Sequence, residues 1–358
     1  MARRVDGDLS LLGRDYLAKT VGEETGLPYN ERPDGKSLIL SARLNPMVNI
    51  EAITAGKSEF ALVDRGEVAV AVMGAKALAR ATATGGCLSQ NKLLSAAKGM
   101  ERLETSDPVL FRYPWEMMAA NGRALVGEIP VKGASKLFIS PEAEVEEFVS
   151  FDPSAGPITI AEGTKVESFS RVSGPCYIGR GTVLRSARVR GGTTVAEGCR
   201  IGGELDSCIV YPHTNKAHQG FVGHSIVGEW VNVGAGATTS DLKNTYGTVK
   251  VQRQSDRVDS GLQKLGALVG DMAKISIGTM LYCGVTVGVA AHCAGLVDRD
   301  VPDFTSRPER GTKPFTLTLE SVIETQQRMM KRREMVLSPK KRLLIERLYR
   351  SRGSAPKR

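Results

Sequence analysis

From residue 158 onward an aliphatic residue recurs at every sixth position. Ile160, Val166, Val172, Ile178 and Leu184 follow without a break through the stretch IAEGTK VESFSR VSGPCY IGRGTV LRSARV. After a slip of one residue the step returns at Val189, Val195 and Ile201. It resumes at Val227 and Val233, and runs again through Ile275, Leu281, Val287 and Cys293. A helix repeats every ~3.6 residues and an alternating strand every two, so neither produces this spacing. A period of six is the signature of a parallel β-helix, in which each hexad supplies one short strand and a turn. The aliphatic residue points inward and stacks on the coil below, while Gly, Asn and small residues take the corners. The pattern falters at about 207–225 and 247–274. Both segments are expected to leave the coil as loops, which is where function tends to reside.

The segments on either side have other periods. Residues 9–25 carry apolar residues at helical spacing with Ser10 as the expected N-cap, and KSLILSARL has the look of a strand. Two alternating runs flank Asp64-Arg65-Gly66, which predicts a hairpin. YPWEMMAANGRALVGEI begins as a short helix at Pro114 and is expected to end near Gly122. This region contains no GxGxxG, no P-loop and no glycine-rich loop followed by Arg or Lys. The last stretch reads as two helices broken at Ser338-Pro339, with a disordered end.

Composition agrees with many short strands and tight turns: glycine occurs 39 times and aromatics make up only 5%. The formal net charge of +9 is confined to one place. Residues 311–358 hold 13 Lys and Arg against 4 Asp and Glu, while residues 1–310 hold 35 of each sign. A body with no basic excess is not what a nucleic-acid binder shows, so no nucleic-acid partner is predicted. The six cysteines, Cys87, Cys176, Cys199, Cys208, Cys283 and Cys293, form no CxxC pair and read as small buried hydrophobes in a reducing compartment. Asp6 and Asp8 interrupt the position where a signal peptide needs its apolar run, and no apolar stretch is long enough for a bilayer span. These features predict a cytoplasmic protein.

Two stretches are more specific than the hexads. They are NKAHQGFVGHSIVGEWVNVGAGATTSDLKNTYGTVKV and GALVGDMAKISIGTMLYCGVTVG. On them the chain resembles the left-handed β-helix acyltransferases. More closely, it resembles the bifunctional N-acetylglucosamine-1-phosphate uridylyltransferase/glucosamine-1-phosphate N-acetyltransferase family, in its divergent branch. The resemblance covers roughly residues 155–297. Residues 10–130 look like the later part of that branch's nucleotidyltransferase domain, without the opening strand and phosphate-gripping loop, which points away from uridylyl transfer. The expected architecture is therefore mainly β. A truncated α/β nucleotidyltransferase-like region spans 1–130, a left-handed parallel β-helix 131–300, and a helical basic tail 301–358.

The resemblance also implies a site. The family's catalytic base falls on His218, an asparagine of the following rung on Asn232, and a backbone contact to the acetyl-CoA thioester on Ala235. Phe221 stands where better-known members have a tyrosine, and His224 where they have an aspartate. From the residues themselves, acetyl transfer to a sugar amine needs a base near neutral pKa and donors for the developing oxyanion. Histidine suits the first task. His218 is expected to sit in the exiting loop and overhang a groove between subunits, with His224 bonded locally and His213 solvated. A sugar phosphate needs cationic partners, for which Lys216 and Lys243 stand ahead of Lys250 and Arg200. Asn244 and Tyr246 are candidate contacts to the sugar, and Gly234 and Ala294 join Ala235 as candidate contacts to coenzyme A. The leading reading is a homotrimeric, acetyl-CoA-dependent N-acetyltransferase acting on a hexosamine phosphate such as glucosamine 1-phosphate. The alternatives are a sugar-phosphate nucleotidyltransferase, which alone would call for Mg2+, and a non-catalytic β-helix scaffold. Four scattered histidines predict no metal site.

Overall fold

The computed structural model describes residues 10–11, 17–30, 35–82, 89–128, 136–253, 256–308 and 313–352. The chain divides into two compact units, Met1–Arg112 with Leu337–Arg358, and Tyr113–Val336. That partition differs from a division at residues 130 and 300. The helix that starts at Pro114 goes with the coil, and the tail divides between the units at Leu337.

The first unit contains α1 (Ala18–Thr25), α2 (Ile50–Thr54), α3 (Ala75–Thr82) and α4 (Gln90–Ala96), with strands β1 (Ser37–Leu40), β2 (Phe60–Asp64), β3 (Glu67–Met73) and β4 (Glu101–Glu104). The sheet order is β1-β3-β2-β4, with β4 parallel to β2 and the other pairs antiparallel. The hairpin expected at Asp64-Arg65-Gly66 is present, with Arg65 at φ 50°. Burial pushes the Asp64 carboxyl up, but the Arg65 guanidinium and the backbone N–H groups of Leu110 and Val109 outweigh it and hold it below the usual range. The Ser10 hydroxyl donates to the Pro28 carbonyl while Leu11 bridges to Tyr29, and α1 as described spans Ala18–Thr25. The expected helix over residues 12–16, and with it the expected cap at Ser10, lies outside the described residues.

The second unit is a parallel β-helix. Its first face stacks Glu144–Val145, Lys165–Val166, the starts of Val183–Val189 and Arg200–Asp206, Asn215–Lys216, Asn232–Val233, Lys274–Ile275, His292–Cys293 and Thr305–Arg307. The third face stacks eight strands from Leu137–Ile139 to Thr286–Val287. The second face lies between them and includes Arg171–Ser173, Phe221–Gly223, Thr238–Thr239 and Met280–Leu281. The register is the hexad pattern made physical. Ile160, Ile178, Val195, Val210, Val227, Val269 and Val287 form one inward column, none of them more than 4% exposed. Burying each aliphatic side chain stabilises the coil by roughly 1.5–3 kcal/mol.

One expected exit is not an exit. Residues 207–225 stay in the coil as Ile209–Val210, Asn215–Lys216 and Phe221–Gly223. The six-step runs on through Val210, Lys216 and Val222, and a lysine in an inward position conceals it. The other departure is genuine but begins earlier. The chain leaves after Thr238–Thr239, forms the antiparallel hairpin Lys250–Arg253/Asp256–Asp259, and rejoins at Leu268–Val269.

Helix α5 (Pro114–Glu128) runs past Gly122 instead of ending there. A Cβ at Gly122 would meet the Gly192 backbone at 3.4 Å, so this glycine permits close approach to the coil. Beside it, the Asn121 side chain donates to the Gly192 carbonyl and accepts from the Thr194 hydroxyl. Helices α6 (Leu319–Lys331) and α7 (Pro339–Ser351) are capped by Thr318 and Ser338. In α6, Gln326 is 1% exposed and neither atom of its carboxamide has a partner among the described residues. An unsatisfied buried amide costs about 1–3 kcal/mol. Gln326→Met is therefore expected to raise stability by about 1 kcal/mol, read as a higher denaturant midpoint at unchanged slope. A lower midpoint would show that a buried partner serves the amide.

Candidate active site

The corner between the first and second faces varies in length from rung to rung. From inward residue to inward residue it takes six steps at Val166–Val172, five at Leu184–Val189, four at Ile201–Leu205, and six again at Lys216–Val222. The two short corners are strands that run straight through, with a register shift at Arg185/Ala187. Gly202 and Gly203 make the tightest of these four. A Cβ on Gly202 would strike the Ala217 carbonyl, and one on Gly203, at φ 67°, would lie 2.7 Å from the Gly220 carbonyl. The next corner, Ala217-His218-Gln219-Gly220, has two more residues and so stands proud of the rungs beneath it. His218 lies at its tip, exposed, with no hydrogen bond to its ring among the described residues. It belongs to a coil corner and not to an excursion.

Lys216 fixes that corner from inside. Its side chain is 3% exposed and its Nζ donates to the carbonyls of Gly202 (2.6 Å), His218 (3.0 Å) and Gly220 (2.9 Å). An ammonium has three N–H donors, and all three are taken. Lys216 therefore has nothing left to offer a phosphate, contrary to its expected role as a substrate ligand. It clamps the loop that carries His218.

Asn232 lies on the first face, one rung above Asn215, whose Nδ2 donates to its Oδ1 at 2.9 Å. At the corner above His218, Ala235 accepts from Gly278 at its carbonyl, and its N–H has no partner among the described residues. Residues that follow the inward position of successive rungs are Ala217, Gly234, Ser276 and Ala294, a line of small side chains about 14 Å long at the usual strand spacing. The Ala294 N–H is engaged with Arg307, so only its methyl and carbonyl face outward chemistry. Lys243, Asn244 and Tyr246 share one turn of the excursion, closed by Tyr246 N–H to the Lys243 carbonyl, with Tyr246 67% exposed.

The other histidines have particular partners. His224, at φ 44°, is held by Asp206 and Gly266 through its backbone, and its Nδ1 lies 2.7 Å from Asp241 Oδ2. This carboxylate–imidazole pair ties the base of the excursion to the coil at the far end of Phe221–Gly223 from His218, so the two rings serve different corners. No periodicity in the sequence announces Asp241. His213 is not simply solvated, because its ring stacks on buried Trp230 at 4.6 Å. Among the described residues no group of three or more His, Cys, Asp or Glu is placed to hold a metal ion, and no helix is long and apolar enough to cross a membrane.

No family model matches the chain. Curated proteins do. The bifunctional protein GlmU of Methanocaldococcus jannaschii is 35% identical over 125 residues, which is 33% of this chain and 30% of that protein. The GlmU of Methanococcus maripaludis is 29% identical over 196 residues, 53% of this chain and 44% of the relative. The chain resembles the bifunctional GlmU proteins. The aligned parts span less than half the length of these relatives. Among solved structures, AntD, an N-acyltransferase from Bacillus cereus in complex with dTDP and 3-hydroxybutyryl-CoA, aligns over 56% of this chain and 89% of its own with a TM-score of 0.24 and 12% identity.

In this GlmU-like coil the buried lysine has a titration signature. Burial pulls the Lys216 ammonium down to about 8, from an ordinary 10.5. The unfolded chain keeps that proton to higher pH than the folded one, so stability rises between about pH 8 and pH 10.5. In Lys216→Met the rise over this window should be smaller by on the order of 1–3 kcal/mol, measured by denaturation at pH 8 and pH 10. Parallel curves for the two proteins would show that the folded ammonium titrates at its ordinary value.

Proposed function

We propose that the chain is an acetyl-CoA-dependent N-acetyltransferase acting on a hexosamine phosphate, with glucosamine 1-phosphate as acceptor, in the synthesis of nucleotide sugars. One observation carries the reading. An imidazole with an unengaged ring stands at the tip of a corner whose backbone is pinned from within by a buried lysine. A general base must be both available and held, and this arrangement supplies both. The resemblance to the GlmU proteins supports the same chemistry.

In this reading the amine nitrogen of the sugar attacks the thioester carbonyl while His218 takes a proton from it. The C–S bond then breaks and coenzyme A leaves as the thiol, with the proton returned from the imidazolium. The unengaged N–H of Ala235 is the candidate donor to the oxyanion, and Asn232 a candidate contact to the acceptor. The line from Gly234 to Ala294 offers a shallow track for an extended pantetheine arm. Lys243, Asn244 and Tyr246, on one exposed turn, are proposed to reach the sugar phosphate. We place the working assembly as a homotrimer. Exposed Ile277, Met280, Tyr282 and Leu296, around the upper second face and its corner, are the proposed contact surface.

The test is thiol release from acetyl-CoA with glucosamine 1-phosphate. The wild type should turn over, and His218→Ala should lose about a hundredfold or more, the usual scale for a general base. No thiol release by the wild type with any hexosamine phosphate would overturn the reading.

A further inference from the structure

Away from His218, at the lower rungs of the first face, three arginines converge. Arg200 occupies the outward position one rung below Asn215, and its Nη1 donates to the carbonyls of Gly181 and Cys199, both at 3.0 Å. Arg333, just beyond α6, reaches back to the coil and donates through Nη1 to the carbonyl of Gly198 at 3.3 Å. Two guanidinium groups are thus anchored on consecutive carbonyls of one short turn. Arg185 flanks them from the adjacent strand, where Val183 pairs with Arg200 and Arg185 with Gly202.

The charge in this cluster is not compensated locally. Among the described residues neither Arg200 nor Arg333 forms an ion pair, and the single carboxylate near the group, Glu167, lies 3.9 Å from Arg185 Nε. Burial, joined by the mutual repulsion of the arginines, holds both Arg200 and Arg333 below the ordinary arginine value. Both side chains are half-buried, so their charges are poorly screened. Several other arginines of this unit do have a carboxylate partner, such as Arg171 with Asp152, Arg180 with Glu197, Arg190 with Glu204 and Arg307 with Asp298. Carbonyl contacts orient the guanidinium groups but do not neutralise them. Each of Arg200 and Arg333 uses only Nη1, which leaves Nε and Nη2 for a ligand with several acceptor oxygens.

We propose that Arg185, Arg200 and Arg333 form an anion site that takes a phosphate group, separate from the His218 corner. A tetrahedral dianion would accept from two guanidinium groups and remove the repulsion between them. The phosphate could come from a free ion, from the acceptor sugar or from the 3′-phosphate of coenzyme A. The proposal does not depend on acyl transfer.

The full-length chain is titrated with inorganic phosphate at low ionic strength, with binding followed by calorimetry and stability by thermal unfolding. Saturable binding with an upward shift in the unfolding temperature is expected. Arg200→Gln and Arg333→Gln should each weaken binding about tenfold, the scale of one lost charge-assisted hydrogen bond. Without phosphate, both variants should be at least as stable as the wild type, because a repulsion has been relieved. Arg185→Gln, at an exposed position with no carbonyl contact, gives the same readout with least risk to folding. Glucosamine 1-phosphate, and coenzyme A against its dephospho form, then distinguish the sources. Preference for one of these by the wild type, abolished in the variants, assigns the phosphate to it. Equal weak binding of all organic phosphates assigns it to the free ion. The proposal fails if phosphate affects the wild type and all three variants equally. It fails too if the variants are destabilised without phosphate while the wild type does not respond to it, which would make the arginines staples.

Discussion

Everything in the larger unit depends on keeping one inward side chain per face stacked directly over its predecessor. Strands only two or three residues long have little stability of their own. They persist because the inward columns are almost wholly aliphatic and the strand N–H groups bond to carbonyls of the next rung. The corners are then free to vary. They shorten at Gly202-Gly203, lengthen at His218, and open into a hairpin after Thr239, all without disturbing the register of the third face. Variation is confined to the corners because the columns must keep their register.

Lys216 is the exception that makes the site. It stands in line with Val166, Leu184 and Ile201, where an aliphatic residue would contribute only burial. The lysine instead spends its three donors on carbonyls from two rungs, so a charge inside the coil sets the conformation of an exposed loop outside it. A buried ammonium is tolerated only when its donors are satisfied, and here they are. Burial nonetheless holds the pKa of the same group below its ordinary value.

Most of the fold was legible because a hexad period has a single structural meaning, and Ile160 to Leu184 state it without interruption. The misreadings share a cause. Residues 207–225 resembled an exit because periodicity is detected through apolar residues, and Lys216 is not one. Gly122 resembled a helix end because glycine most often is, whereas here it brings α5 against the Gly192 backbone. In the candidate site, His218 and Asn232 stood out by resemblance, but the role of Lys216 could not be read from charge alone. Lysine suggests a phosphate partner until its depth is known. Asp241 was invisible for a related reason: its partner His224 lies 17 residues away, on a different corner, and no local pattern links them.

The inward lysine also affects how the coil would come apart. A solenoid is held by contacts between neighbouring rungs, so its cooperativity is a chain of nearest-neighbour couplings. Through most of this coil the couplings are apolar and interchangeable. At the rung of Lys216 the aliphatic column is broken, and the link downward to Gly202 is an ion held by carbonyls. That rung is a joint of different character in an otherwise uniform stack. The third-face column runs on through Val195, Val210 and Val227, so this joint is confined to the first face, beneath the loop that presents His218.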